Sequence, residues 1–394
     1  MLQLQICRFP KGSYIVVEGK SDSDRFFIIQ QGTVQCYKGE SGAIAPVVLG
    51  PGDFVGVVPC MSGHLQIETA IAQTDVVAIA VRREQYSDLI VNNTPVALKI
   101  IKTFANRMRV MNEMLTKATL NGAVAESYDQ IFKVAQFYEN SAKSDIAIYA
   151  YYQYLKTKPT GPNAEIAKQK FLELRKRTHP SYLEPSQESI REYQQDQMIF
   201  SESQPGKDMF IIQSGEVAIS KVVNGNEVTL AVLKKGDMFG EMALLENKSR
   251  SASAITHSAC RLMVVNLANF NQMVTTQPQM IARLTTTLAD RLWSMYRQLD
   301  NANIPDPKAK MIDMLSLQLE KQKVQFDNVL NKQKQTEFTP QDLANMCGIP
   351  HNQQPKAIYD FQQDSHFKII EGKIFIKDIV ELSKQAAFYR KQKL

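Results

Sequence analysis

At 394 residues, 44% hydrophobic and 22% charged, the chain is too long for one ordinary core and too apolar for a disordered or fibrous protein, so roughly two to four domains are expected. The net charge of +6 permits nucleic-acid contact without demanding it. No apolar run approaches the roughly 20 residues of a bilayer span, and the opening MLQLQICRFP has neither a charged lead nor an apolar core. A cytoplasmic chain without membrane segments is expected. The five cysteines are scattered and odd in number, which argues against disulfide or metal spacing and for free thiols.

Residues 8–36 alternate short β-rich runs with Gly and Asp, as a small antiparallel roll does. Residues 93–118 predict a long helix in which Ile101, Phe104, Met108, Met111 and Leu115 repeat at three- and four-residue steps. This seam suits a second copy of the chain, the helices that follow, or the roll before it. Residues 123–176 lose the strand signals. Ala135, Tyr138, Ala147, Tyr151 and Pro159 resemble one tetratricopeptide helix-turn-helix, with a third helix opening at Pro162-Asn163-Ala164. One such unit cannot bury its own face, so it is expected to pack on the long helix before it, as a spacer or as a groove for a protein partner.

The first roll then recurs. FIIQ-x-G-x-V occurs twice, with Gly32 and Gly215 in corresponding turns, and a second roll is expected over about residues 184–270, with a hairpin turn at Asn224-Gly225. Within it, Phe239–Ala254 reads FGEMALLENKSRSASA. A planar Arg250 can engage a phosphate through paired charge-assisted bonds, Glu241 can accept a sugar hydroxyl, and amides opening the Met242–Leu245 turn can face an anion. The alternative is that Glu241 and Arg250 brace a turn without a ligand.

This stretch resembles the phosphate-binding cassette of the cyclic nucleotide-binding family, F-G-E-x-A-L-L, a short loop, then R-[AS]-A. The resemblance implies an α+β chain with two antiparallel, jelly-roll-like β-rolls, at 1–120 and 184–302, each ending in a long helix and joined by an all-α tetratricopeptide-like linker at 121–183. It implies a cyclic nucleotide as allosteric ligand, cAMP before cGMP, held by Gly240, Glu241, Met242, Ala243, Arg250 and Ser251, with no cofactor and no metal. Aligning the copies from Gly52-Asp53 and Gly236-Asp237 puts Val57 opposite Glu241 and Gln66 opposite Arg250. An anion there would lie unpaired, at a cost of several kcal/mol, so the first roll is expected not to bind the ligand. His64 is either an exposed loop histidine or a substitute phosphate ligand.

Residues 277–300 form a second long helix with Leu284, Leu288, Leu292, Met295 and Leu299 on one face. It resembles the dimer helix of Crp/Fnr-like bacterial transcription regulators. That resemblance implies a homodimer and a lid over the nucleotide base, formed by Arg291, Met295 and Tyr296.

Residues 303–394 resemble the winged helix-turn-helix of the same regulators. Thr339 caps a first helix, Gly348 makes the turn, residues 352–363 form the recognition segment, and Phe367–Ile376 the wing. Gln353, Gln354 and Lys356 are the expected DNA contacts. The segment departs from the pattern in carrying Asp360 and Asp364, and in placing Pro355 where a helix should already be hydrogen-bonded unless it starts late. Two functions follow. One is a cyclic nucleotide-sensing transcription regulator, and the other is a nucleotide-responsive interaction protein with a degenerate winged domain. No nucleophile elbow, Walker loop or metal cluster points to an enzyme.

Overall fold

The structure is a computed structural model. It describes all residues except 1–3, 40–45, 121–128, 179–182, 185, 187, 224, 325, 327–331, 351 and 393–394. Asn224 of the expected turn and the opening of the helical insert therefore lie outside the described residues.

The first roll consists of β1 (Gln5–Phe9), β2 (Tyr14–Val16), β3 (Arg25–Gln31), β4 (Val34–Tyr37), β5 (Val47–Leu49), β6 (Phe54–Val55), β7 (Thr69–Ala72) and β8 (Val76–Arg82), with α1 (Val57–Ser62) between β6 and β7. Its two sheets run β1-β8-β3-β6 and β2-β7-β4-β5. Then come α2 (Tyr86–Asn92) and α3 (Thr94–Leu120), followed by the helical insert α4 (Asp129–Asn140), α5 (Ser144–Thr157) and α6 (Ala164–Arg175). The second roll has β9 (Ile190–Tyr193), β10 (Met198–Phe200), β11 (Asp208–Ser214), β12 (Val217–Val223), β13 (Asn226–Leu233), β14 (Met238–Phe239), β15 (Ser253–Thr256) and β16 (Cys260–Asn266), with α7 (Glu241–Glu246) after β14. Its sheets, β9-β16-β11-β14 and β10-β15-β12-β13, repeat the first roll strand for strand. Helices α8 (Leu267–Thr276) and α9 (Pro278–Ala302) follow it, as α2 and α3 follow the first.

The C-terminal part comprises α10 (Pro307–Lys321), β17 (Lys334–Gln335), α11 (Pro340–Met346), α12 (Gln354–Gln362), β18 (Phe367–Ile370), β19 (Lys373–Ile376) and α13 (Ile379–Lys391). The strands are ordered β17-β19-β18. Thr339 and Asp342 form a reciprocal capping box at α11, with Pro340 in the first turn, where its missing N–H costs nothing.

The compact units do not follow the order of the chain. One unit is built from Arg83–Val110 and Gly122–Leu288, the other from Leu4–Arg82, Met111–Asn121 and Ala289–Leu394. Each long helix therefore contributes to both units, and the boundaries expected from sequence cut through neither of them.

In the unit that holds the second roll, Phe200, Phe210, Phe239 and Leu262 form the core of the roll. The insert shares a separate core with that roll, in which Ile131, Ala135, Tyr138, Ala147 and Tyr151 pack with Met198, Val222 and Ile255. Its expected support was α3, and its actual support is the sheet containing β10, β12 and β15. Hydrogen bonds fix the docking: Tyr149 donates to the Ile199 carbonyl at 3.0 Å, Gln130 to the Val222 carbonyl at 2.8 Å, and Tyr138 to Glu227 at 2.7 Å.

In the other unit, Phe27, Ile29, Val34 and Val55 centre the first roll. The C-terminal half of α9 is tied to α10 and α13 by buried charge. Asp313, fully buried, meets Arg297 at 3.3 Å and Arg390 at 2.5 Å, and Arg297 also reaches Glu320 at 3.0 Å. Asn301 adds a bond to Asp313 at 3.0 Å.

The helical seams are covered within a single chain. Ile101, Phe104, Met108 and Met111 on α3, and Leu284, Leu288, Leu292 and Leu299 on α9, are all buried. Leu115 and Met295 of the same faces are half-buried.

Candidate functional site

The cassette begins where β14 ends. Gly240 takes a left-handed conformation (φ 78°) and starts α7, so Glu241, Met242 and Ala243 follow as its first turn, all buried. The chain returns through Asn247 to a short bridge between Ser249 and Pro205. Backbone bonds from Arg250 N to the Gln204 carbonyl and from Ser203 N to the Arg250 carbonyl hold the arginine beside the Ser201–Gly206 loop.

Arg250 is the informative side chain. It is 6% exposed, its Nη1 donates to the Gly240 carbonyl at 2.7 Å, and its guanidinium lies 4.1 Å above the Phe200 ring. Among the described residues it makes no ion pair, and its buried Nε has no acceptor. Burial pushes its pKa down to about 10, an effect opposed by Asp208, Tyr149 and Glu241. It is therefore still charged at neutral pH, and an anion placed against it would relieve the desolvation. Two glycines make room. A Cβ at Gly206 would lie 2.3 Å from Arg250 Nε, and one at Gly240 would lie 2.6 Å from Nη1.

Ser251 Oγ lies 3.6 Å from Met242 Sδ, so Gly240, Glu241, Met242, Ala243, Arg250 and Ser251 come together in one place. Arg291, Met295 and Tyr296 belong to the other compact unit. They fall on the part of α9 that belongs to the first roll's unit, where Tyr296 lies under Lys38, with Nζ 5.6 Å from its ring centroid.

Three participants escaped the sequence reading. Arg109 of α3, 4% exposed, donates to Glu246 at 2.5 Å and to the Ser249 carbonyl at 3.2 Å. Gln204 receives Ser201 N at 2.9 Å and donates to Gln153 of α5 at 3.1 Å, linking the insert to the loop beside Arg250. Gly206 is the third. A charged residue beside Met108 in an apolar seam was the one available signal for Arg109.

The corresponding place in the first roll lacks this chemistry. Val57 is buried, and Gln66, 2% exposed, donates to the Asp22 carbonyl at 3.0 Å. His64 is half-buried rather than an exposed loop residue. Its ring stacks on Trp293 with centroids 3.8 Å apart, and Nε2 lies 3.5 Å from Asp290.

In the C-terminal part, α12 starts at Gln354 with Pro355 in its first turn, so the proline fits because the helix starts late. Gln353 and Lys356 are exposed. Gln354 is not: its amide donates to the Ile349 carbonyl at 2.8 Å, and its oxygen accepts from Gln341 at 2.7 Å. Its assignment as a DNA contact is corrected, because reaching a base edge would break a satisfied buried network. Asp364 is likewise turned inward, onto Lys308 at 2.9 Å and His366 at 2.7 Å.

Comparison with known proteins fits this geometry. The cyclic nucleotide-binding domain model matches residues 6–93 and 190–277. A CRP-like cAMP-activated global transcriptional regulator of Mycobacterium tuberculosis is 24% identical over 192 residues, 48% of this chain and 84% of that protein. The cyclic AMP receptor protein of Thermus thermophilus is 32% identical over 111 residues, covering 28% and 51%. A cAMP-dependent protein kinase regulatory subunit of Mycosarcoma maydis is 35% identical over 82 residues, covering 20% and 16%. The chain carries two cyclic nucleotide-binding domains. They lie in tandem, and over part of its length the chain is similar to Crp-like regulators. Among the described residues, no helix is long and apolar enough to cross a membrane, and no cluster of potential metal ligands occurs.

Proposed function

We propose that this protein is a non-enzymatic, cytoplasmic regulator that senses a cAMP-like cyclic nucleotide through its second roll alone. Arg250 binds the cyclic phosphate, Ser251 adds a hydroxyl, Glu241 accepts from the ribose, and Gly240, Met242 and Ala243 shape the backbone around them. The observation that carries this reading is the buried, charged Arg250 without an ion-pair partner among the described residues. A guanidinium held this way lacks the counter-charge that a phosphate would bring. Titration calorimetry with cAMP, cGMP and cyclic dinucleotides on the intact chain and on Arg250→Ala tests it, with binding lost in the variant.

Output then passes to the C-terminal part, read as a winged helix-turn-helix in which α12 is the recognition helix and β18–β19 the wing. DNA is the leading target, in keeping with the transcription regulators among the relatives, and Gln353 and Lys356 are its proposed contacts. One observation favours a second reading, a protein-docking role for the same surface. With Gln354 engaged internally, Lys356 is the single basic residue of α12, few for a phosphate-tracking face. Retention of genomic DNA fragments with and without cAMP separates the two. Absence of retention under every salt and nucleotide condition removes the DNA reading.

A further inference from the structure

We infer that Arg109, carried by the helix of the ligandless first copy, is a positioning residue of the second roll's cassette. The loop of that site is thereby braced by the helix of the chain's own duplicate. Arg109 grips the loop that delivers Arg250 at two points, the Glu246 carboxylate at its start and the Ser249 carbonyl next to the arginine. The ion pair is shielded, with side chains 5% and 8% exposed, so water does not dilute its hold on the loop.

The duplication supplies an independent observation. The ungapped alignment that pairs Gly56 with Gly240 pairs Arg109 with Trp293, and also pairs the first residue of α3 with that of α9. Trp293 stacks on His64, in the loop that precedes Gln66, the counterpart of Arg250. Thus the same helical position grips a cassette loop twice, each time on the other copy. The chemistry has diverged with the site. An arginine able to bond both a carboxylate and a carbonyl holds the loop with a charged ligand residue, whereas an aromatic stack holds the loop without one.

Only the affinity arm of the test rests on the proposed nucleotide reading. Full-length protein, Arg109→Ala, Arg109→Lys and Glu246→Gln are compared by amide hydrogen exchange over residues 246–252 and by calorimetric titration with cAMP. Faster exchange in that segment, with at least about tenfold weaker cAMP binding in Arg109→Ala, is expected. Lysine should rescue partly, since it keeps the charge but not the fork. Should Arg109→Ala fail to fold, the Lys and Gln variants carry the test. In Trp293→Ala, exchange should rise over residues 62–66. Wild-type exchange over 246–252 in all three variants would overturn the inference. Faster exchange in a protein that binds no cyclic nucleotide would keep Arg109 as the brace and remove the nucleotide reading instead.

Discussion

The guanidinium of Arg250 lies over Phe200 between two glycines, and its position sets two expectations at the level of single side chains. Removing it in Arg250→Ala should cost about 2–4 kcal/mol of nucleotide binding, the loss of a charge-assisted fork. Gly206→Ala should act on the same group from behind. Its Cβ would fall 2.3 Å from Nε, so the guanidinium must move, and cAMP affinity should fall at least about tenfold in calorimetry with the fold intact. The sequence made Gly240 to Ser251 legible because they lie on one short contiguous stretch. It hid Gly206 and Arg109, whose roles come from chain segments that meet in space and leave no local pattern. Gln354 was misplaced for a related reason. Helical spacing names a turn of α12, but burial against Gln341, Asn345 and Ile349 decides which way the side chain is used.

Among the elements, the insert α4–α6 has the clearest consequence. Its small and aromatic spacing was readable, because buried positions of a helix pair recur every three or four residues. Its partner was not, since an apolar face does not name what covers it. The docking bonds identify the second roll. Tyr149→Phe leaves the Ile199 carbonyl without its donor, and the variant should lose about 1–3 kcal/mol in urea denaturation. The loop beside Arg250 should loosen with it, because Gln204 contacts both Gln153 and the Arg250 backbone. Between α9, α10 and α13, Asp313→Ala should cost about 3–5 kcal/mol, as half-buried Arg390 would lose this carboxylate and buried Arg297 would keep Glu320 without it.

For the whole molecule, the duplication is visible in both sequence and strand order, while the exchange of long helices between the two units is visible only in the structure. Acid should act on the C-terminal part through Asp364. Burial opposes its ionisation, but bonds from Lys308 and His366 hold its pKa at about 2 against an ordinary 3.8. Its contribution to stability is therefore complete above about pH 4 and is lost as pH falls through 2. Asp364→Asn should flatten that limb of the acid-unfolding curve. The most direct measurement is the stoichiometry of cAMP binding to the intact chain by titration calorimetry. One site per chain, abolished by Arg250→Ala, is expected. Two sites per chain, or undiminished binding by Arg250→Ala, would contradict the assignment of the second roll as the sole nucleotide site.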